Sequence, residues 1–159
     1  MKPDLYILRF QNQIKLVNSL LIAIDVDAAI QELRLANFIP VAVERLKRLT
    51  ELQPDNERAH FNLGMLAADR GAVEEAERGF RKAVTLNPAF RSALFNLALL
   101  LADAGRPLEA QQPLQQLLQH HPTHVKGLIL LGDIYTNHQK DLDRAEHCYK
   151  RLVPTSIYM

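Results

Sequence analysis

The chain has 159 residues, 48% hydrophobic and 23% charged, the composition of a folded domain or short repeat array rather than of a disordered segment. Nineteen basic against 18 acidic side chains leave a formal charge of +1, which gives no electrostatic basis for sequence-independent binding to nucleic acid or an anionic membrane. A single cysteine, Cys148, excludes an internal disulfide, and the absence of tryptophan with only 6% aromatics argues against base- or sugar-stacking platforms.

Residues 1–22 read as an N-terminal helix or extension. The apolar stretch from Val17 to Ile24 is interrupted by Asn18 and Ser19 and closed by Asp25, short of the ~20 apolar residues a membrane helix needs. No signal peptide is read in the opening, where Arg9, Gln11, Asn12, Gln13 and Lys15 break the apolar patch. By itself the chain is expected to be soluble, not to insert in a membrane, and to be cytoplasmic if expressed as it stands.

From residue 23 the sequence repeats. Ala42, Ala76 and Ala110 stand 34 residues apart; each is followed four residues on by Leu46, Phe80 or Leu114 and twelve on by Pro54, Pro88 or Pro122. A fixed period of this length signals stacked supersecondary units. The units are read as 23–56 with a degenerate first half (Asn37 at the turn), 57–90, 91–124, a partial unit 125–152, and a divergent tail 153–159.

The unit 57–90 shows the plan. Phe61, Leu63, Leu66 and Ala67 recur at helical spacing from about Arg58 to Arg70, and Gly71 follows, where a left-handed residue closes a helix cheaply. Val73, Ala76, Phe80, Ala83 and Val84 give one face of a second helix, with Glu74, Glu75 and Glu77 early and Arg81 and Lys82 late, as the helix dipole favours. Pro88 stops it. Gly64 and Ala76 are expected to let the two backbones approach, so a leucine at either would overpack.

The unit 91–124 copies this plan through Phe95, Leu97, Leu101 and Gly105. Pro107 suits a helix start, whereas Pro113 is expected to kink the second helix or shift its start. In the last unit Leu128, Leu131, Gly132 and Tyr135 form a first helix, and Ala145 and Tyr149 begin a second. Ala145 lies 35 residues after Ala110, so an insertion is expected around Asn137–Asp141. A proline follows early, at Pro154, and VPTSIYM has neither helical period nor charge. No polar capping helix is visible, so the terminal hairpin is expected to fray, or to be covered by a partner or a second copy of the chain.

Thirty-four residues, two helices and this Gly/Ala, Gly, Ala, Phe/Leu, Pro series resemble a tetratricopeptide repeat (TPR) array, with His60, Leu94 and Leu128 where that family carries a first-helix tryptophan. The resemblance implies an all-α fold: an α-solenoid of about three and a half hairpins in a right-handed superhelix, whose first helices line a concave groove for peptides. The stretches FNLGMLAADRGAVEEAE, FRSALFNLALLLADAG and HVKGLILLGDIYTNHQKDLDRAEHCYKR further resemble the C-terminal repeats of the TMTC family. That implies an endoplasmic-reticulum protein whose repeats face the lumen, and a link to O-mannosylation of cadherin-type substrates. The transferase chemistry belongs to a membrane domain absent from this chain, which is therefore expected to be no enzyme and to need no cofactor. It looks like a fragment, a truncated isoform or an engineered piece.

Side chains expected to line the groove are Arg58, Phe61, Met65 and Asp69; Ser92, Phe95, Leu99 and Asp103; then Lys126, Ile129 and Asp133. They make an apolar strip beside an acidic row, a pattern that marks polypeptide-binding surfaces. The alternative is that Phe61 and Phe95 merely pack against the next unit. A co-chaperone-type carboxylate clamp would use Asn62, Asn96 and Lys126, but Phe61, Met65, Leu130, Asp27 and Gln31 occupy its other basic positions, so the clamp is incomplete and both asparagines read as structural.

His120, His121 and His124 invite a metal reading, yet Pro122 separates them and no carboxylate or thiolate is near in sequence; a loop role is expected. Cys148 reads as a partly buried, inert thiol. The carboxylates Glu74, Glu75, Glu77, Asp141, Asp143 and Glu146 read as solvated helix-start groups, and no phosphate loop or nucleophile elbow occurs. The expected role is binding of a polypeptide segment, with scaffolding or dimerisation as alternatives.

Overall fold

The computed structural model describes residue 31 and residues 39–152. Among these described residues it contains seven α-helices, one π-helical turn and no strand: α1 (Ile39–Leu52), α2 (Glu57–Asp69), α3 (Val73–Leu86), α4 (Arg91–Asp103), α5 (Pro107–His120), α6 (Val125–Ile134), the π turn Tyr135–Gln139, and α7 (Leu142–Lys150). Residues 1–22, most of the degenerate first helix with Asn37, and the tail 153–159 lie outside the described residues.

Each α-helix packs on the one before it and the one after it in the chain, which is the signature of an α-solenoid. One apolar core runs from Ala67 to Cys148, with Phe80, Leu94, Leu101, Leu114, Leu117 and Leu128 fully buried. A second, smaller cluster joins Ala42, Val43 and Leu46 of α1 to Ala59 and Leu66 of α2. The periodic alanines and bulky residues of the sequence are therefore the buried face of every second helix.

Local chemistry fixes the helix ends. Asn56 Oδ1 accepts from the Ala59 amide at 2.9 Å, and Asp141 Oδ1 accepts from the Arg144 amide at 3.0 Å, each satisfying a helix-start donor. Gly71 (φ 73°) and Gly105 (φ 76°) close the first two hairpins in the left-handed region. There the Ala72 and Arg106 amides donate to Ala67 and Leu101 carbonyls, each five residues back. In the last hairpin a non-glycine, Lys140, takes that conformation (φ 57°), and the Asp141 amide reaches six residues back, to Tyr135.

That sixth residue is the expected insertion. It is absorbed as a π turn at the end of α6 rather than as a longer loop, because one extra residue widens the helical hydrogen-bond ring by one position. One other expectation is corrected. Pro113 does not shift the start of α5, which runs as one helix from Pro107 to His120 with Pro113 buried inside it; the ring forfeits one intrahelical bond but fills apolar space. Gly64 does approach the backbone of Ala76, where a Cβ on it would lie 3.1 Å from the Ala76 carbonyl oxygen, and Gly79 adds a second close approach that the sequence reading missed: a Cβ there would lie 2.7 Å from the Gly64 Cα.

The second helix of the terminal hairpin runs through Lys150. Ala145 and Cys148 are buried against α6, and the Tyr149 hydroxyl donates to Asp133 at 2.7 Å.

Candidate functional site

The residues expected to line a groove lie on α2, α4 and α6 at matching positions, 34 residues apart from helix to helix. Arg58, Asp69, Asp103, Lys126 and Asp133 are exposed, while Phe61, Met65, Ser92 and Phe95 are half-buried. Leu99 and Ile129 keep 37% and 41% of their surface in solvent.

Part of this set also has a packing role. The Phe61 ring stacks at 5.1 Å from Phe90, at the start of α4, and at 5.7 Å from Phe80. Phe95 lies 5.2 Å from the His124 ring, at the start of α6. Both phenylalanines thus bridge successive hairpins while keeping an accessible edge. In the acidic row, Asp133 is engaged by the Tyr149 hydroxyl, which is pushed up from its usual pKa by burial first and by Asp133 next.

The asparagines act structurally. Asn96 Nδ2 donates to the Ser92 carbonyl at 2.8 Å, and Asn62 is buried within α2. The histidines tie hairpins together. His124 Nδ1 accepts from the Gly127 amide at 3.0 Å and so caps α6, and His121 Nε2 lies 2.9 Å from the Ala89 carbonyl. Burial, then the charge of Arg91, holds His124 below its ordinary pKa; a neutral Nδ1 is what the cap requires. Cys148 is fully buried rather than partly so, which pushes its thiol up.

One group of residues escaped the sequence reading. Glu77 is not a solvated helix-start acid: its side chain is only 15% exposed, and it accepts from Arg81 of its own helix and from Arg106 of the next hairpin, both at 2.7 Å. Arg106 in turn holds Glu109 at 2.6 Å. The Arg106 hydrogen bond is the main cause that lowers the Glu77 carboxyl pKa. Glu77 and Arg106 lie 29 residues apart, so no local spacing signals the pair. Apart from these ties, an apolar cleft opens between α5 and α7, lined by Leu118, Leu131, Tyr135 and Cys148 among others.

Stacked two-helix units with glycine-closed hairpins and a shared core define a helical-repeat solenoid. The tetratricopeptide repeat profile matches residues 26–89 and 95–158, and the chain belongs to the tetratricopeptide repeat family, whose arrays are protein-interaction modules. Over 113 residues, 71% of its length, the chain is 50% identical to protein O-mannosyl-transferase Tmtc3 of Drosophila melanogaster. Over 114 residues it is 39% identical to TMTC3 of Homo sapiens. The chain spans only 12% of the length of these curated relatives. Among solved structures, MamA superposes with a TM-score of 0.72 at 19% identity, covering 86% of this chain and 75% of that one. A tetratricopeptide repeat protein from Parabacteroides merdae ATCC 43184 gives 0.74 at 20% identity, covering 90% and 54%. At such identities these likenesses bear on fold alone. No helix among the described residues is long and apolar enough to cross a membrane.

Proposed function

We propose that the array captures a polypeptide segment along the face of α2, α4 and α6, with the edges of Phe61, Met65, Phe95, Leu99 and Ile129 as the apolar contact and Asp69 and Asp103 beside it. The observation that carries this reading is the exposure of Leu99 on α4 and Ile129 on α6, on successive first helices that also carry the half-buried Phe61 and Phe95 at the positions matching Ile129. The similarity to TMTC3 supports a wider proposal: a repeat segment that recruits or presents substrates or partners, in the endoplasmic-reticulum lumen, for an O-mannosyltransferase carried elsewhere in a longer protein. Cadherin-type chains are the substrates that context implies. This segment itself performs no bond chemistry in that scheme.

The test is Phe95→Glu. It is expected to weaken capture of a groove peptide by at least about tenfold, since a desolvated carboxylate then faces the apolar strip, while the helical circular dichroism spectrum stays unchanged. Undiminished crosslinking of every partner to Phe95→Glu would refute the groove.

A second reading, scaffolding through the end of the array, is favoured by Leu142, 67% exposed beside Ala145 and Tyr149 on the outer face of α7. On α5 the counterpart of Tyr149, Leu114, is fully buried. A further hairpin or a second copy would seat against α7, and Leu142→Glu separates this mode from the groove by abolishing concentration-dependent sedimentation.

A further inference from the structure

The two inner junctions carry the same cleft at two sizes. Between α3 and α5 it is lined by Val84, Leu97 and Pro113 and holds about 190 Å³. One repeat later, between α5 and α7, the counterparts are Leu118, Leu131 and Cys148, and the volume is about 460 Å³. Two features accompany the enlargement. The π turn inserts one residue ahead of α7, and among the described residues the ionic strap of the first junction has no equivalent, since Gln111 stands where Glu77 does and accepts from Gln139 at 3.3 Å.

The chemistry of the rim changes as well. Arg81, pinned by Glu77 in the smaller cleft, becomes the neutral Gln115, whose amide donates to the Tyr135 hydroxyl at 3.3 Å. Gln116, which donates to the Pro88 carbonyl, becomes Arg151, which makes the same bond to Pro122 at 2.7 Å. The larger cleft is thereby edged by Arg144, His147 and Arg151 against a single acid, Asp143. Arg144 uses its Nε on Asp141 and Arg151 one Nη on the loop, and each guanidinium keeps further N–H donors. Tyr135 forms one apolar wall, with the Arg144 guanidinium 5.7 Å from its ring centre.

We propose that this cleft, on the opposite helices from the groove and independent of it, binds an acidic peptide segment through one large apolar side chain. The anchor sits on Leu118, Leu131 and Cys148, and flanking carboxylates meet Arg144 and Arg151. An apolar seat of this volume takes one bulky side chain, and a basic rim selects acidic neighbours. The acidic row of the groove, on α2 and α4, would repel such a segment, which separates the two sites by charge.

The experiment titrates the full chain, labelled at leucine methyls, with acetylated Asp-Glu-Phe-Asp-Glu amide. Saturable shifts at Leu118 and Leu131, absent with the Ala-centred and the Lys-flanked versions of the peptide, are the expected result. Arg151→Gln copies Gln116 of the preceding repeat and keeps the loop bond. It is expected to weaken binding about fivefold, and Gln115→Trp, which plugs the mouth from an exposed position, is expected to abolish it. Phe95→Glu should leave it unchanged, so failure of the groove and failure of the cleft are read separately. No saturation, equal shifts with the Lys-flanked peptide, shifts at Leu99 instead, a change of the same methyls on deleting residues 153–159, or their dependence on protein concentration would each overturn the proposal.

Discussion

The junction between the hairpins α2–α3 and α4–α5 and the junction between α4–α5 and α6–α7 are built from the same positions, yet one is strapped and the other open. In the first, Phe80 fills the core and Glu77 bridges to Arg106 of the next hairpin, while inside the hairpin α2–α3 Gly79 lies against Gly64. In the second, Leu114 stands where Phe80 does and is buried as well, no ion pair joins α5 to α7 among the described residues, an extra residue is wound into a π turn, and Tyr149, one repeat further on, stays half-buried. A repeat tolerates an inserted residue when a helix end can absorb it, and the cost appears as looser packing of the following helix. The same looseness enlarges a cleft that is small at the strapped junction.

Core truncation should separate the junctions most. Phe80→Ala is expected to lose about 3–5 kcal/mol in urea unfolding, whereas Tyr149→Ala, half-exposed and held by one hydrogen bond, should lose about 1–2 kcal/mol. Amide exchange should likewise be faster along α7 than α3; equal protection at Tyr149 and Phe80 in dilute monomer would erase the distinction. Glycine replacement comes next. Gly79→Ala meets backbone and is expected to lose about 2–3 kcal/mol, while Gly132→Ala meets the Tyr149 ring, 2.6 Å away, which can swing aside at about 1 kcal/mol.

A smaller effect follows pH. His124 is held below its ordinary 6.5 when folded, so its neutral form is favoured in the native state. Its contribution is complete above pH 6.5 and declines as the pH falls through the folded-state value. His124→Ala should therefore lose about 1 kcal/mol at pH 7.5 and remove part of the decline in melting temperature on acidification; an unchanged decline would detach the cap from this titration. The smallest effect is expected at the strap. Glu77→Ala should lose about 0.5–1 kcal/mol, because both its arginines are substantially solvated. The carboxyl is depressed when folded, so its contribution is present above about pH 4.5 and lost below. A loss equal to that of Phe80→Ala would make charge, not packing, the fastener of the first junction.

The solenoid was legible from the sequence because a repeat reports its own geometry. Ala76, Phe80 and Ala83 are buried by helical period, Gly71 and Gly105 are read from the need for positive φ, and the 35-residue step announces the inserted residue. The apolar strip of the candidate groove was legible for the same reason, since Phe61, Phe95 and Ile129 recur with the period. The second role of Phe61 and Phe95 as stacking partners was not, because Phe90 and His124 reach them from outside the first helices. Pro113 misled because a missing hydrogen bond is visible in sequence while the cavity its ring fills is not.

What the amino-acid order settled by itself was therefore local: which residues form helices, which face each buries, and where each hairpin turns. Backbone stereochemistry and the 3.6-residue period act over a few neighbours and leave their mark in spacing. Tertiary structure alone decided that Glu77 reaches Arg106, that two glycines meet, and that a wound-in residue opens a basic-rimmed cleft, since these depend on how helices lie against each other, within a hairpin for the glycines and between neighbouring hairpins for the strap and the cleft.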